Sequence, residues 1–213
     1  MEFHVHRHLE GKHALFSPSN WYWLNDDHDD LVKRLCSQYA STIGTILHNV
    51  ARNHIKYRIK LHKYDKNHVL LELLTNGIPA IVVDTIDFDS MFDNLMSYVN
   101  DCIGFRMEPE VVLAYSDNFY GTTDAITYSE RDRFLRIHDY KSGVTPANMN
   151  QVRIYAALFC LEYAIKPGNI STELRIYQSN EVIVDNPEAD DIVPIMDKIV
   201  TTDKFLTRIN EEV

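Results

Sequence analysis

"YGTTDAITYSERDRFLRIHDYKSG", residues 120–143, holds two β-type runs separated by a short charged turn, and its reading decides the fold. Residues 120–129 and 133–142 each carry β-branched and aromatic residues, and Ser142-Gly143 closes the second run with turn chemistry. A hairpin around Glu130–Asp132 would pair Asp124 with a residue near 138–140. Side chains alternate along a strand, so Asp139 and Lys141 project together, about 6.5–7 Å apart along the chain. On this segment alone, an intrastrand ion pair on a solvated edge, worth little, explains them.

Working outward, "EVVLAYS" (110–116) reads as the strand before this hairpin, making a three-strand meander. Pro146 opens "PANMNQVRIYAALFCLEYAI", a helix to about residue 165. "ISTELRIYQ" (170–178) reads as a fourth strand, and Pro187 starts a last helix reaching about Arg208. Upstream, Ser17 offers an N-cap with Pro18 at the first helical position. Leu31, Leu35, Tyr39, Ile43, Ile46, Leu47, Val50 and Ile55 then recur at helical spacing, with a break expected near Ser41-Thr42. "DSMFDNLMSYVNDCIG" (89–104) is another amphipathic helix, ending at Gly104. The order predicts an α/β (α+β) chain whose central mixed β-sheet is flanked by helices. Without repeats or linkers, 1–213 reads as one domain, with a helical N-terminal part at 1–105.

Composition narrows the function classes. An apolar share of 45% supports a packed core, and no apolar run approaches the ~20 residues of a membrane span. The start Met1-Glu2-Phe3-His4 is not a signal peptide, and Cys36, Cys102 and Cys160 form no paired framework. A reducing cytoplasm is the expected location, with no membrane partner. The formal charge of −10 argues against nucleic acid as a partner, but it is unevenly spread. Residues 1–70 hold ten Lys/Arg against seven Asp/Glu, whereas 71–213 hold eleven against twenty-four. The basic character concentrates in "RNHIKYRIKLHKYDK" (52–66), where Arg52, Lys56, Arg58, Lys60, Lys63 and Lys66 are interleaved with aromatic and apolar residues. Such a stripe suits a phosphate backbone; a solvated helix face accounts for it equally well.

Asp124 and Asp139, meeting across neighbouring strands beside Lys141, form the candidate site. Burying such charges costs several kcal/mol each unless they are paired or bound to metal. Two hard oxygen ligands suit Mg²⁺ or Mn²⁺, and a nearby lysine can position or deprotonate a water. His48, in "GTILHNV", is a third candidate ligand, although an ordinary helix histidine reads the same way. Gln151 and Tyr155 lie four apart on one helix face and could reach over the strand ends. Glu110, at the start of its strand, is either an additional acid of the site or a strand-end charge.

The order G-x₃-H, G-x₂-D, D-x-K, Q-x₃-Y, carried by Gly44…His48, Gly121…Asp124, Asp139…Lys141 and Gln151…Tyr155, resembles the RecB-like branch of the PD-(D/E)XK nucleases. "LFSPSNWYWLN" also looks like that family's N-terminal Ser-x-Ser segment, so the likeness runs from about residue 15 to 160. It implies a restriction-endonuclease-like core at 106–213, completed by the helix carrying His48. His48, Asp124, Asp139 and the backbone carbonyl of Tyr140 would then hold Mg²⁺ or Mn²⁺, with Glu110 as a further acid. Lys141 would act on the attacking water, and Gln151 and Tyr155 would lie near the substrate. Arg52, Lys56, Lys60 and Lys63 would follow the DNA. The activity implied is a DNase of recombination, repair or replication, more an exonuclease than an endonuclease, in a bacterial or phage-infected cell. An idle nuclease-fold subunit that binds DNA or a protein is the alternative. Three scattered cysteines cannot supply the four-cysteine iron–sulfur cluster of some relatives. No GxxxxGK[ST] occurs, so unwinding would fall to a separate helicase or recombination protein.

Two further features read blandly. His4, His6 and His8 fit a surface strand or a terminus better than a metal site. "NDDHDD" (25–30) lacks the glycine and distal glutamate of a calcium loop and reads as a turn before a helix.

Overall fold

A computed structural model describes residues 3–211. It shows an α+β architecture with a five-stranded mixed sheet in the order β1-β2-β3-β4-β5, flanked by helices. Four helices precede the sheet: α1 (His28–Tyr57), α2 (Lys66–Thr75), α3 (Ala80–Thr85) and α4 (Phe88–Gly104). Then come β1 (Glu108–Ser116), β2 (Phe119–Ser129) and β3 (Phe134–Tyr140), followed by α5 (Asn150–Glu162). The chain ends with β4 (Ser171–Gln178), β5 (Glu181–Asp185) and α6 (Ala189–Glu211).

The meander β1-β2-β3 is antiparallel, β4 lies parallel to β3 across the α5 crossover, and β5 returns antiparallel. In the β2-β3 ladder, Ala125 faces His138. One step further, this register sets Asp124 against Asp139, inside the range expected from the hairpin.

The sheet separates two apolar layers. On one side Leu47, Ile55, Leu95 and Tyr98 from the first helices meet Tyr140 and Tyr177. On the other, Leu135, Ile137, Leu174 and Ile176 pack on Val152 and Phe159 of α5 and Ile192 of α6. Both faces of β3 are therefore covered, as a central strand requires. Each of these wholly buried aliphatic side chains is worth about 1.5–3 kcal/mol.

Several boundaries differ from the sequence reading. Residues 18–25 form 3₁₀ turns, and the Ser17 hydroxyl meets Ser19 Oγ at 3.0 Å instead of capping them. No break interrupts α1 at Ser41-Thr42. Both residues are exposed, and Thr45 Oγ1 donates to the Ser41 carbonyl, so the hydroxyls of this region ride the helix. The acids of 26–30 do start the helix: Asp27 caps α1 by accepting from the Asp30 N–H at 2.9 Å.

The 52–66 stripe is not one element. α1 ends where Arg58 turns left-handed (φ 57°), and Asn100 of α4 pins Leu61 through both of its backbone polar groups. His4, His6 and His8 form no strand; they are exposed, with a 3₁₀ turn at Arg7–Leu9. α2, α3 and β5 have no counterpart in the sequence reading. β5 follows Ser179-Asn180, both with positive φ (51° and 60°), the geometry of a two-residue hairpin turn. No helix among the described residues is long and apolar enough to cross a membrane.

Candidate functional site

The end of the hairpin, the close of β3 and two helices bring the candidate residues together. Asp124 and Asp139 stand on neighbouring strands, and Asp124 Oδ2 accepts from the Tyr140 N–H at 2.8 Å. This bond fixes the carboxylate against the strand carrying its partner. β3 ends at Tyr140, so Lys141 lies one residue past the ladder. Its backbone N–H donates to the Tyr177 carbonyl at 3.0 Å, which continues the β4 register. The amine of Lys141 lies between Asp139 (Oδ1 at 3.1 Å, Oδ2 at 2.9 Å) and Gln151 Oε1 on α5 (2.8 Å).

His48 reaches the site from α1, its Nδ1 3.6 Å from Asp124 Oδ2. Its ring leans edge-on against Tyr140, which rests on Tyr98 and donates its hydroxyl to the Met91 carbonyl at 3.1 Å. Burial holds the His48 pKa below its ordinary value, keeping the imidazole neutral with a lone pair to offer.

The two glycines of the motif are explained by close approach. A Cβ on Gly121 would come 2.9 Å from Tyr155 Cε1, and the Tyr155 hydroxyl donates to the Thr122 carbonyl at 2.6 Å. A Cβ on Gly44 would stand 3.2 Å from Ser142 Oγ, in the loop beyond Lys141. Gly121 thus lets the Tyr155 side chain of α5 lie against β2, and Gly44 lets α1 approach the loop after β3.

The carboxylates carry the electrostatic tension. Burial pushes Asp124 up to about 6. Burial, together with the charge of Asp124, does the same to Asp139. Asp139 is 2% exposed, and its Oδ2 makes no hydrogen bond among the described residues. Lys141 Nζ is 2.9 Å from it but off the bonding direction, so the contact is ionic only. Two buried carboxylates share one lysine beside a neutral imidazole, and these are donor types that Mg²⁺ or Mn²⁺ takes. Among the described residues, no group of three or more His, Cys, Asp or Glu is arranged to hold an ion as it stands. Asp124 is engaged by the Tyr140 N–H and Asp139 by Lys141.

Glu110 sits on β1 with a left-handed backbone (φ 52°), and Arg52 holds its carboxylate at 3.2 Å. For a glutamate this conformation is strained, costing of order 1 kcal/mol or more. Arg58 is likewise engaged, with the Met107 carbonyl (2.7 Å) and Glu108 (2.6 Å), and Lys66 pairs with Asp89. Lys56, Lys60 and Lys63 make no ion pair among the described residues.

One contributor escaped the sequence reading. Gln178, the last residue of β4, is buried and bonds the loop after Lys141. In sequence it is simply the end of "LRIYQ", with no motif to mark it. No protein-family model and no curated protein matches the chain.

Proposed function

We propose that this protein is a metal-dependent DNA nuclease of the RecB-like PD-(D/E)XK type, built on a restriction-endonuclease-like core and hydrolysing phosphodiester bonds. One observation carries the reading: Asp124 and Asp139 share a sheet end with the Lys141 amine, and Asp139 Oδ2 is buried without a hydrogen-bond donor. Two buried carboxylates set against a single lysine leave one negative charge unbalanced when both are ionised, which is suited to a cation.

His48, Asp124, Asp139 and the Tyr140 carbonyl would hold Mg²⁺ or Mn²⁺, with Glu110 as an additional acid. When bound, such an ion neutralises phosphate charge and lowers the pKa of a coordinated water. Lys141, held between Asp139 and Gln151, would position the attacking water, and could take its proton only after giving up one of its own. Gln151 and Tyr155 brace the lysine and β2 from α5, next to the scissile phosphate. Arg52, Lys56, Lys60 and Lys63 lie along the substrate backbone in this reading. Exonuclease action in a bacterial or phage-infected cytoplasm, with a separate helicase or recombination protein, follows from the same resemblance.

The test is purified protein with end-labelled single- and double-stranded DNA, with and without Mn²⁺. Expected is Mn²⁺-dependent cleavage that EDTA and Asp139→Asn both abolish. Folded protein that leaves every substrate intact would sink the reading, and binding without cleavage would favour the idle subunit.

A further inference from the structure

We infer that Gln178 is a positioning residue: it locks the loop leaving Lys141 and thereby holds the lysine amine between Asp139 and Gln151. The inference rests on the proposed nuclease reading for its consequence, but its geometry stands apart from it.

Nine residues lie between Lys141 and Gln151, and from Lys141 to Asn148 the chain has no helix or strand of its own. Such a segment must find partners for its backbone groups elsewhere. β4 supplies them in sequence. Tyr140 pairs with Tyr177, and the Lys141 N–H donates to the Tyr177 carbonyl. The next residue along β4 then takes over with its side chain. Gln178 Nε2 donates to the carbonyls of Gly143 and Thr145, the latter at 2.8 Å. Its Oε1 accepts from the Ala147 N–H at 2.9 Å. One buried amide thus satisfies three backbone groups spread over five residues. It uses both of its donors and one acceptor, which leaves no freedom to rotate the group without breaking bonds.

This clamp sits where the site needs rigidity. Beyond Ala147 the chain enters α5, whose Gln151 is the second partner of Lys141. The lysine and the glutamine that steadies it are therefore the two ends of one loop, and Gln178 sets the loop's path between them. Ser142 packs against Gly44, so the same loop also touches α1 four residues from His48. A glutamine at 6% exposure would be an expensive way to fill space; its donors and acceptor match this backbone.

The test compares wild type with Gln178→Met, which keeps length and volume but removes every hydrogen bond. Three readouts are taken: Mn²⁺-dependent DNA cleavage, hydrogen exchange at Ala147, and the rate at which acetic anhydride modifies the Lys141 amine. Expected is a kcat lower by the order of ten- to a hundred-fold, with the KM for DNA and the Mn²⁺ affinity unchanged. Ala147 exchange should rise about ten-fold or more, while α4 and the β1-β2 ladder keep wild-type protection. Lys141 should acetylate several-fold faster, a change that a merely structural role would not produce. If Gln178→Met does not fold, Gln178→Glu, which keeps the acceptor for Ala147 but loses both donors, is read by cleavage and by Lys141 acetylation, with the same expected outcomes.

Wild-type exchange at Ala147 or wild-type acetylation of Lys141 overturns the inference, as does a loss of kcat matched by lost Mn²⁺ affinity. If the wild-type protein cleaves no DNA, the nuclease reading falls on its own, and exchange and acetylation still decide whether Gln178 positions Lys141.

Discussion

His138 and Asp139 are neighbours on β3, both fully buried, and each has a side-chain atom with no hydrogen-bond partner among the described residues. They face opposite sides of the sheet, and their surroundings differ. His138 looks towards α4, with Cys102 and Phe105 at that helix's end and Tyr177 of β4 around it. Close by, Glu173 bonds both Arg136 (3.0 Å) and Arg175 (3.1 Å), and Arg175 also reaches Asp101 (3.2 Å), so these charges are consumed by one another. Burial first, then the two arginines, drives the His138 pKa down to about 3 and keeps it neutral. Asp139 faces a second carboxylate, one lysine that the two acids share, and a neutral imidazole. Burial alone therefore does not make a site. What sets Asp139 apart is that it shares its burial with a second carboxylate and only one lysine, the surroundings on which the proposed metal site rests.

The contrast is most directly broken by function. Lys141→Ala should lose cleavage by the order of 10²-fold or more, with Mn²⁺ binding retained, since the lysine is not a ligand. His138→Leu, one residue from Asp139, should leave cleavage within about two-fold of wild type, because its side chain lies on the sheet face away from Asp139, among Tyr177, Phe105 and Cys102. Parallel assays on end-labelled DNA decide it; equal losses in both variants would abolish the distinction between the two faces.

Stability against pH sharpens the comparison, with denaturant midpoints measured in EDTA. Asp124 and Asp139 have native pKa values raised above their unfolded ones, so the native state holds more protons. Their contribution is present below about pH 4 and lost as pH rises through about 6. His138 has a depressed native pKa, so its contribution is present above about 6.5 and lost as pH falls towards 3. The two slopes oppose each other in wild type. Asp139→Asn should raise stability at pH 8 and expose the histidine's slope, while His138→Leu should expose the acids'. Mn²⁺ should stabilise wild type more at pH 8 than at pH 5, because it competes with protons for the carboxylates. A pH profile unchanged by both substitutions would remove the electrostatic basis of the contrast.

A smaller effect is expected where charge meets solvent. Replacing Lys56, Lys60 and Lys63 with glutamine should weaken DNA binding and flatten the slope of log K against log salt by up to about 2–3. An unchanged slope would return these lysines to an ordinary solvated surface. Smallest are the helix starts: Asp27→Ala should cost about 1 kcal/mol through the lost cap, and Ser17→Ala less than about 0.5, by chemical denaturation. The reverse order would restore Ser17 as the cap.

Local chemistry made much of this molecule legible in the amino-acid order. The alternation in "RFLRIHDYKS" and the turn at Glu130–Asp132 determined the hairpin, and with it the approach of Asp124 to Asp139. The recurrence of Leu31 through Ile55 determined α1, and the acids of 26–30 its beginning. Short-range signals failed where they were weak or competed. α2 starts without a side-chain cap because the Asp65 carboxylate is spent on the His62 N–H. α3 is only six residues long, and β5 is announced by nothing but the Ser179-Asn180 turn. The break expected at Ser41-Thr42 was overridden by the packing of Ile43, Ile46 and Leu47 in one continuous face.

Only the tertiary structure decided how far each charge is desolvated, which of them remain uncompensated, and that Gln178 holds the loop beyond Lys141. Those properties depend on groups far apart in the chain, such as Asp124 with Tyr140 or Gln178 with Ala147. Hydrophobic periodicity records which face of an element is buried. It carries no record of which polar groups from other elements will share that burial, and at this site those groups determine the electrostatics.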